Sequence, residues 1–176
     1  QNYATVWMNE EASMLRAFAN TLYIALFSII GQMFISSLAA YSFAKINFKG
    51  KQVVFMLFLS SMMVPSQLTI IPRFMLFKTI GLYNNLWAII LPAFFGATSI
   101  FMLRQFYMGL PNDLIEAAKI DGAGHLRIFL RIMLPLTKAA LMSLIILAFI
   151  SSWNEYMAPL IFLVKKELYT VSQNIQ

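Results

Sequence analysis

The sequence contains no cysteine, which excludes disulfide scaffolds and thiolate chemistry. It contains one histidine, so neither a hydrolytic triad nor a metal cluster can be assembled from the usual ligands. Its seven glycines stand at positions 31, 50, 81, 96, 109, 122 and 124, and no pair has the spacing of a phosphate-binding loop. The chain therefore carries no ATPase site of that kind and does not read as an enzyme. Acids are scarce: Glu10, Glu11, Asp113, Glu116, Asp121, Glu155 and Glu167 are all of them, and none falls between residues 12 and 112. Charged residues make up 11%, against about 25% in soluble domains. A soluble helical bundle of this size cannot cover its surface with so little charge.

What the chain has instead is apolar: 60% hydrophobic residues, with 16 Phe and 12 Met. Residues 17–44, 52–72 and 79–103 carry no charge, and 139–164 carries only Glu155. About 20 apolar residues cross the hydrocarbon of a bilayer as a helix, and a backbone in lipid must satisfy its own hydrogen bonds. The expectation is an all-α, polytopic membrane protein with spans near 17–44, 52–72, 79–103 and 139–164, forming one domain over 1–176. The N-terminus lacks the basic start and cleavage site of a signal peptide. Gln1 and the polar C-terminal stretch read as the ends of a piece of a longer polytopic protein.

Eight bases (Lys45, Lys49, Lys51, Arg104, Lys119, Arg127, Arg131 and Lys138) lie in the first-to-second and third-to-fourth connections. Five (Arg16, Arg73, Lys78, Lys165 and Lys166) lie elsewhere. The positive-inside bias places those two connections in the cytoplasm. Tyr41 and Tyr107 then fall at the inner interface, and Trp87 and Trp153 at the outer one, as in an aromatic belt. The net charge of +6 suits anionic lipid, not nucleic acid, because the bases form no patch with interleaved aromatics.

Ser36, Ala40 and Ala44 form a small-residue stripe that permits close helix approach. Pro65 should kink or end the second span. Around it, Ser60, Ser61, Ser66, Gln67 and Thr69 either line a solute pathway or bond the carbonyls that the proline frees. Asn154 and Glu155 sit near the outer end of the last span. Glu155 is the only acid in any span, and reads either as a pathway group or as an interfacial carboxylate.

One polar strip, residues 111–135, separates the last two spans. Asn112 or Asp113 can cap a helix, and Asp113 with Glu116 has capping-box spacing. Residues 113–121 favour helix. Gly122 and Gly124 can take positive φ and turn the chain. A second helix is expected from about His125, with Leu126, Phe129, Leu130 and Met133 on one face and Arg127 and Arg131 on another. Pro135 then breaks or bends the chain. An amphipathic helix-turn-helix in the cytoplasm needs lipid headgroups or a protein groove for its apolar face. His125 is a contact, a cap or a pH-sensitive group.

This strip resembles the signature of the membrane subunits of binding-protein-dependent ABC importers: Glu-Ala-Ala, three residues, Gly, nine residues, Ile, one residue, Leu-Pro. It falls without a gap on Glu116, Ala117, Ala118, Gly122, Ile132, Leu134 and Pro135. The stretches "AAYSFAKINFKGK", "IGLYNNLWAIILP" and "SWNEYMAPL" resemble the sugar-importer branch, the maltose- and glycerol-phosphate-type permeases. The resemblance implies a six-span permease of a bacterial inner membrane, of which four spans are present here. It implies a coupling loop, with Asp121 and His125 among its residues, docked on a cytoplasmic P-loop ATPase dimer. It implies a second, related permease subunit, an external solute-binding protein, and no cofactor held by this chain. A secondary transporter or channel is the competing class. Such proteins need ionisable groups inside their spans, and the first three spans have none. A membrane scaffold whose strip lies on lipid is a third.

Overall fold

The computed structural model describes residues 14–175; Gln1, Glu10 and Glu11 lie outside them. Among the described residues there are helices and turns and no strand. Helix α1 spans Met14–Lys45, 32 residues without a proline, about 48 Å at helical rise. Helix α2 spans Lys51–Ser60 and tightens into a 3-10 turn over Ser61–Met63. Helix α3 spans Ser66–Thr79, α4 Trp87–Ala93 and α5 Ala97–Gly109. Helix α6 is Asp113–Ile120, α7 is His125–Leu136, α8 is Lys138–Trp153 and α9 is Met157–Phe162. Helix α10, Val171–Asn174, closes the chain under a capping box of Thr170 and Gln173.

Among the described residues two helices, α1 and the Trp87–Gly109 stretch, are long and apolar enough to cross a membrane unaided. The number reaches four when α2 with α3, and α7 with α8, each count as one broken span. The break between α2 and α3 is at the proline, as expected: Val64 is extended and Pro65 has ψ 131°. Within the third expected span the helix starts at Trp87. Asn84 takes φ +57°, accepts the Val164 and Lys165 N–H groups at 3.0 Å each, and donates its own N–H to Phe162. Those bonds hold residues 80–86 as a turn that charge counting cannot see. Within the last expected span α8 stops at Trp153, and the Asn154–Tyr156 segment leaves the helix before α9.

The chain forms two compact units. The first contains residues up to Ile30, Pro65–Phe94 and those from Leu147. Ile24, Ile89, Ile90 and Leu163 form one core there, and Phe77, Ala88 and Phe162 another. The second contains Gly31–Val64 and Phe95–Ile146. Its buried residues include Tyr41, Ile100, Leu103, Tyr107, Ile128, Phe129 and Met133. The stripe on α1 faces protein here: Ser36 and Ala40 are fully buried and Ala44 partly so. Elsewhere along its length α1 exposes Leu15, Leu22, Leu26, Ile30 and Phe34, apolar side chains suited to hydrocarbon.

Candidate functional site

The polar strip lies wholly in the second unit. Helix α6 begins after Asn112, whose side chain does not cap it. The Asn112 Oδ1 instead accepts from the Lys45 Nζ at 2.6 Å, and the same ammonium donates to the Leu110 carbonyl at 2.7 Å. The expected side-chain capping by Asn112 is therefore replaced by a bond to α1. Asp113 and Glu116 still occupy the first turn of α6, where the helix dipole favours negative charge. Ile115 and Ala118 face inward. Leu114, Glu116, Ala117 and Ile120 face outward, and Ile120 is 87% exposed.

The turn after α6 is a complete Schellman motif. Gly122 N–H bonds Lys119 O at 3.0 Å and Ala123 N–H bonds Ala118 O at 2.9 Å, with Gly122 at φ +77°. Asp121 ends the helix just before it. Gly124 does not share this conformation; it is extended at φ −72° and ψ 163°. Only one of the two glycines uses the freedom the sequence offered both.

Helix α7 starts at His125, as expected, and then departs from regular pitch. Residues Phe129–Met133 form a π turn. Pro135 supplies the reason: it has no N–H to offer the Arg131 carbonyl, and its ring crowds that carbonyl in an α-helix. The wider turn relieves the clash, and such turns recur at functional sites. One extra residue per turn also rotates the face. Ile128, Phe129 and Met133 are buried to 1% or less, while Leu126 and Leu130 point outward. The expected single stripe of Leu126, Phe129, Leu130 and Met133 is thus split in two. Ile132 and Leu134 are half-buried, and Arg127, Arg131 and Pro135 are exposed. The bend from α7 to α8 is 77° and falls at Thr137, whose hydroxyl bonds the Met133 carbonyl.

The His125 Nδ1 lies 3.1 Å from the Tyr41 hydroxyl. Of the readings open for His125, a side-chain contact is the one this geometry contains. Tyr41 and Tyr107 are both buried, at 2% and 0% exposure, so neither is an interfacial belt residue. Tyr41 packs instead on Phe129 and, edge-on, on Tyr107. Trp87 and Trp153 are half-buried against Phe27 and against Phe18 and Phe149.

The polar residues singled out in the spans fall in different units. Ser60 and Ser61, in the second, are exposed, and their hydroxyls donate to the Leu57 and Phe58 carbonyls one turn back. Gln67, Asn154 and Glu155 belong to the first. Gln67 is exposed, and the Asn154 amide donates to the Ile150 carbonyl. Glu155 accepts the Ala158 N–H at 3.0 Å, so its carboxylate caps the start of α9. It also lines a cavity of about 10 Å³ with Thr21, Ser152 and Thr170, room for about one water.

The model of the family described as "Binding-protein-dependent transport system inner membrane component" matches residues 32–176. The chain belongs to that family. The resemblance read from Glu116 to Pro135 is borne out, as is the all-α, multi-pass membrane class. Among the chain's relatives is the arabinooligosaccharides transport system permease protein AraQ of Bacillus subtilis (strain 168), 38% identical over 170 residues. That alignment covers 97% of this chain and 60% of the relative. The sn-glycerol-3-phosphate transport system permease protein UgpE of Salmonella typhi is 31% identical, over 100% of this chain and 64% of its own length. A solved bacterial ABC transporter involved in the import of the acidic polysaccharide alginate superposes with a TM-score of 0.87 at 26% identity, covering 98% of this chain and 60% of that one. The chain thus spans about three-fifths of the length of the relatives it matches.

Sequence reasoning missed Tyr41, Lys45, Lys51 and Arg104 as parts of this site. Tyr41 and Lys45 were legible only as belt and topology residues. Their spacing of four, which puts both on one helix face, was the available signal.

Proposed function

We propose that this inner membrane component is the translocation subunit of an ATP-driven importer for a sugar or related solute. ATP is hydrolysed in a separate cytoplasmic ATPase dimer, to which residues 111–135 transmit motion. Residues 1–176 are one permease domain within a longer six-span chain in a bacterial inner membrane. It pairs with a second, related permease and receives solute from an external binding protein. The observation that carries this reading is the exposed face of α6. Leu114, Ala117 and Ile120 form an apolar surface around Glu116, on a short helix ended by a rigid turn. Such a face suits a groove on a protein partner. The arabinooligosaccharide and sn-glycerol-3-phosphate permeases among its relatives favour a carbohydrate or polyol phosphate as solute.

The test is solute-stimulated ATP hydrolysis by the reconstituted full complex, screened over oligosaccharides and polyol phosphates. Stimulation by one of them is expected. Transport with no ATPase in the purified complex would favour a secondary transporter instead.

Sidedness follows from the charge bias. Cysteines replacing Lys49 or Gly124 should react with impermeant thiol reagents only after the cytoplasmic side is opened, and one replacing Lys78 should react in intact cells. At Gly124 an added Cβ meets nothing within 4 Å, so that variant should report topology with little disturbance of the loop. Labelling of Gly124→Cys from outside would place the strip away from any ATPase.

A further inference from the structure

We propose that Tyr41 and Lys45 are positioning residues that fasten the coupling loop to the end of α1 on both sides of α6, so that loop and helix move together. The proposal rests on the docking reading above and adds the path by which motion leaves the loop. Tyr41 and Lys45 are four residues apart and so share a face of the last turn of α1. Lys45 holds the chain just before α6, through the Leu110 carbonyl at 2.7 Å and the Asn112 Oδ1 at 2.6 Å. Tyr41 holds it just after the Gly122 turn, through His125 at 3.1 Å. A helix gripped at both ends cannot pivot on either.

The surroundings keep the grip in place. The Tyr41 ring is buried between Tyr107 of α5 and Phe129 of α7. Two further cations fix the end of α1. Lys51 donates to the Ala44 and Ile46 carbonyls at 3.3 and 3.0 Å. Arg104 donates to the Phe43 carbonyl at 3.3 Å and lies 4.1 Å over the Phe55 ring. The Phe43 and Ala44 carbonyls belong to the last turn of α1, which an α-helix leaves without internal partners and where positive charge is favoured, and Ile46 lies just beyond it. Lys45, Lys51 and Arg104 therefore do more than set topology: each ties a carbonyl of this corner of the fold.

The experiment uses the full complex in vesicles and reads solute imported per ATP hydrolysed, together with the ATPase that co-purifies. Tyr41→Phe with Lys45→Met keeps the ring and the alkyl stem and removes both hydrogen-bonding groups. We expect the ATPase to be retained and ATP to be hydrolysed, while import per ATP falls by about 5-fold or more, the lower end of ordinary coupling effects. Lys45→Arg, which keeps a donor, should retain most of the ratio that Lys45→Met loses. A wild-type ratio in the double variant would overturn the proposal. If the double variant fails to accumulate, Tyr41→Phe alone decides by the same ratio, since its ring packing is unchanged. Failure of the docking reading would show differently, as absence of the ATPase from the unmutated complex.

Discussion

Ile120→Asp is expected to release the ATPase from the complex while the permease inserts and folds normally. Ile120 is 87% exposed, so its side chain contributes almost nothing to packing within this chain. On the proposed docking, it enters a groove of the partner at the tip of α6. A buried apolar anchor at an interface centre is worth about 2 kcal/mol or more, and aspartate adds the cost of burying a charge. A loss of 2 kcal/mol is about 30-fold in affinity. Co-purification of ATPase should fall accordingly, and import with it. Ile120→Ala should show a smaller loss in the same direction. ATPase retained at the wild-type level by Ile120→Asp would mean that α6 does not meet the partner with this face.

Gly122→Val should uncouple the complex, and Gly124→Val should not. Both glycines lie in one four-residue turn, and neither has an atom within 4 Å of an added Cβ. Crowding therefore cannot separate them; backbone conformation does. Gly122 sits at φ +77°, where an L side chain costs roughly 1–2 kcal/mol and a β-branched one more. Gly124 is in the extended region that valine prefers. The strain at position 122 is too local to unfold the membrane helices but is enough to disfavour the Schellman turn by about 10-fold. Without that turn α7 no longer leaves α6 in the right direction, and the His125 contact to Tyr41 is lost. Import should drop about 10-fold in Gly122→Val and stay near wild type in Gly124→Val. Gly122→Asn should be milder, since asparagine tolerates this conformation. Equal behaviour of the two valine variants would contradict the account of the turn.

These two glycines also show how far local chemistry can be read from sequence. The break at Pro65, the end of α6 before Gly122 and the start of α7 at His125 were legible, because each depends on a missing donor or a missing Cβ within a few residues. Which glycine takes positive φ was not legible, because it depends on where the helix stops. The π turn before Pro135 lay one step further away. A proline there announces a disturbance, but not whether the helix kinks or widens, and the choice decided which of Phe129 and Leu130 is buried. The start of the third span was hidden for another reason. Absence of charge marks what lipid tolerates, not where a helix begins, and Asn84 ties a turn through bonds to residues 80 positions away. The clasp of Tyr41 and Lys45 was the least legible part. Its bonds join residues separated by 84 and 67 positions, and both side chains had sufficient local explanations without them.

Photo-cross-linking in intact cells decides whether residues 111–135 meet a cytoplasmic ATPase. A short photoreactive side chain at position 120 should join this chain to a protein carrying a phosphate-binding loop, and ATP trapping should change the yield. The same group at the exposed position 15 of α1 should not. Cross-links from position 120 to lipid alone would contradict that contact.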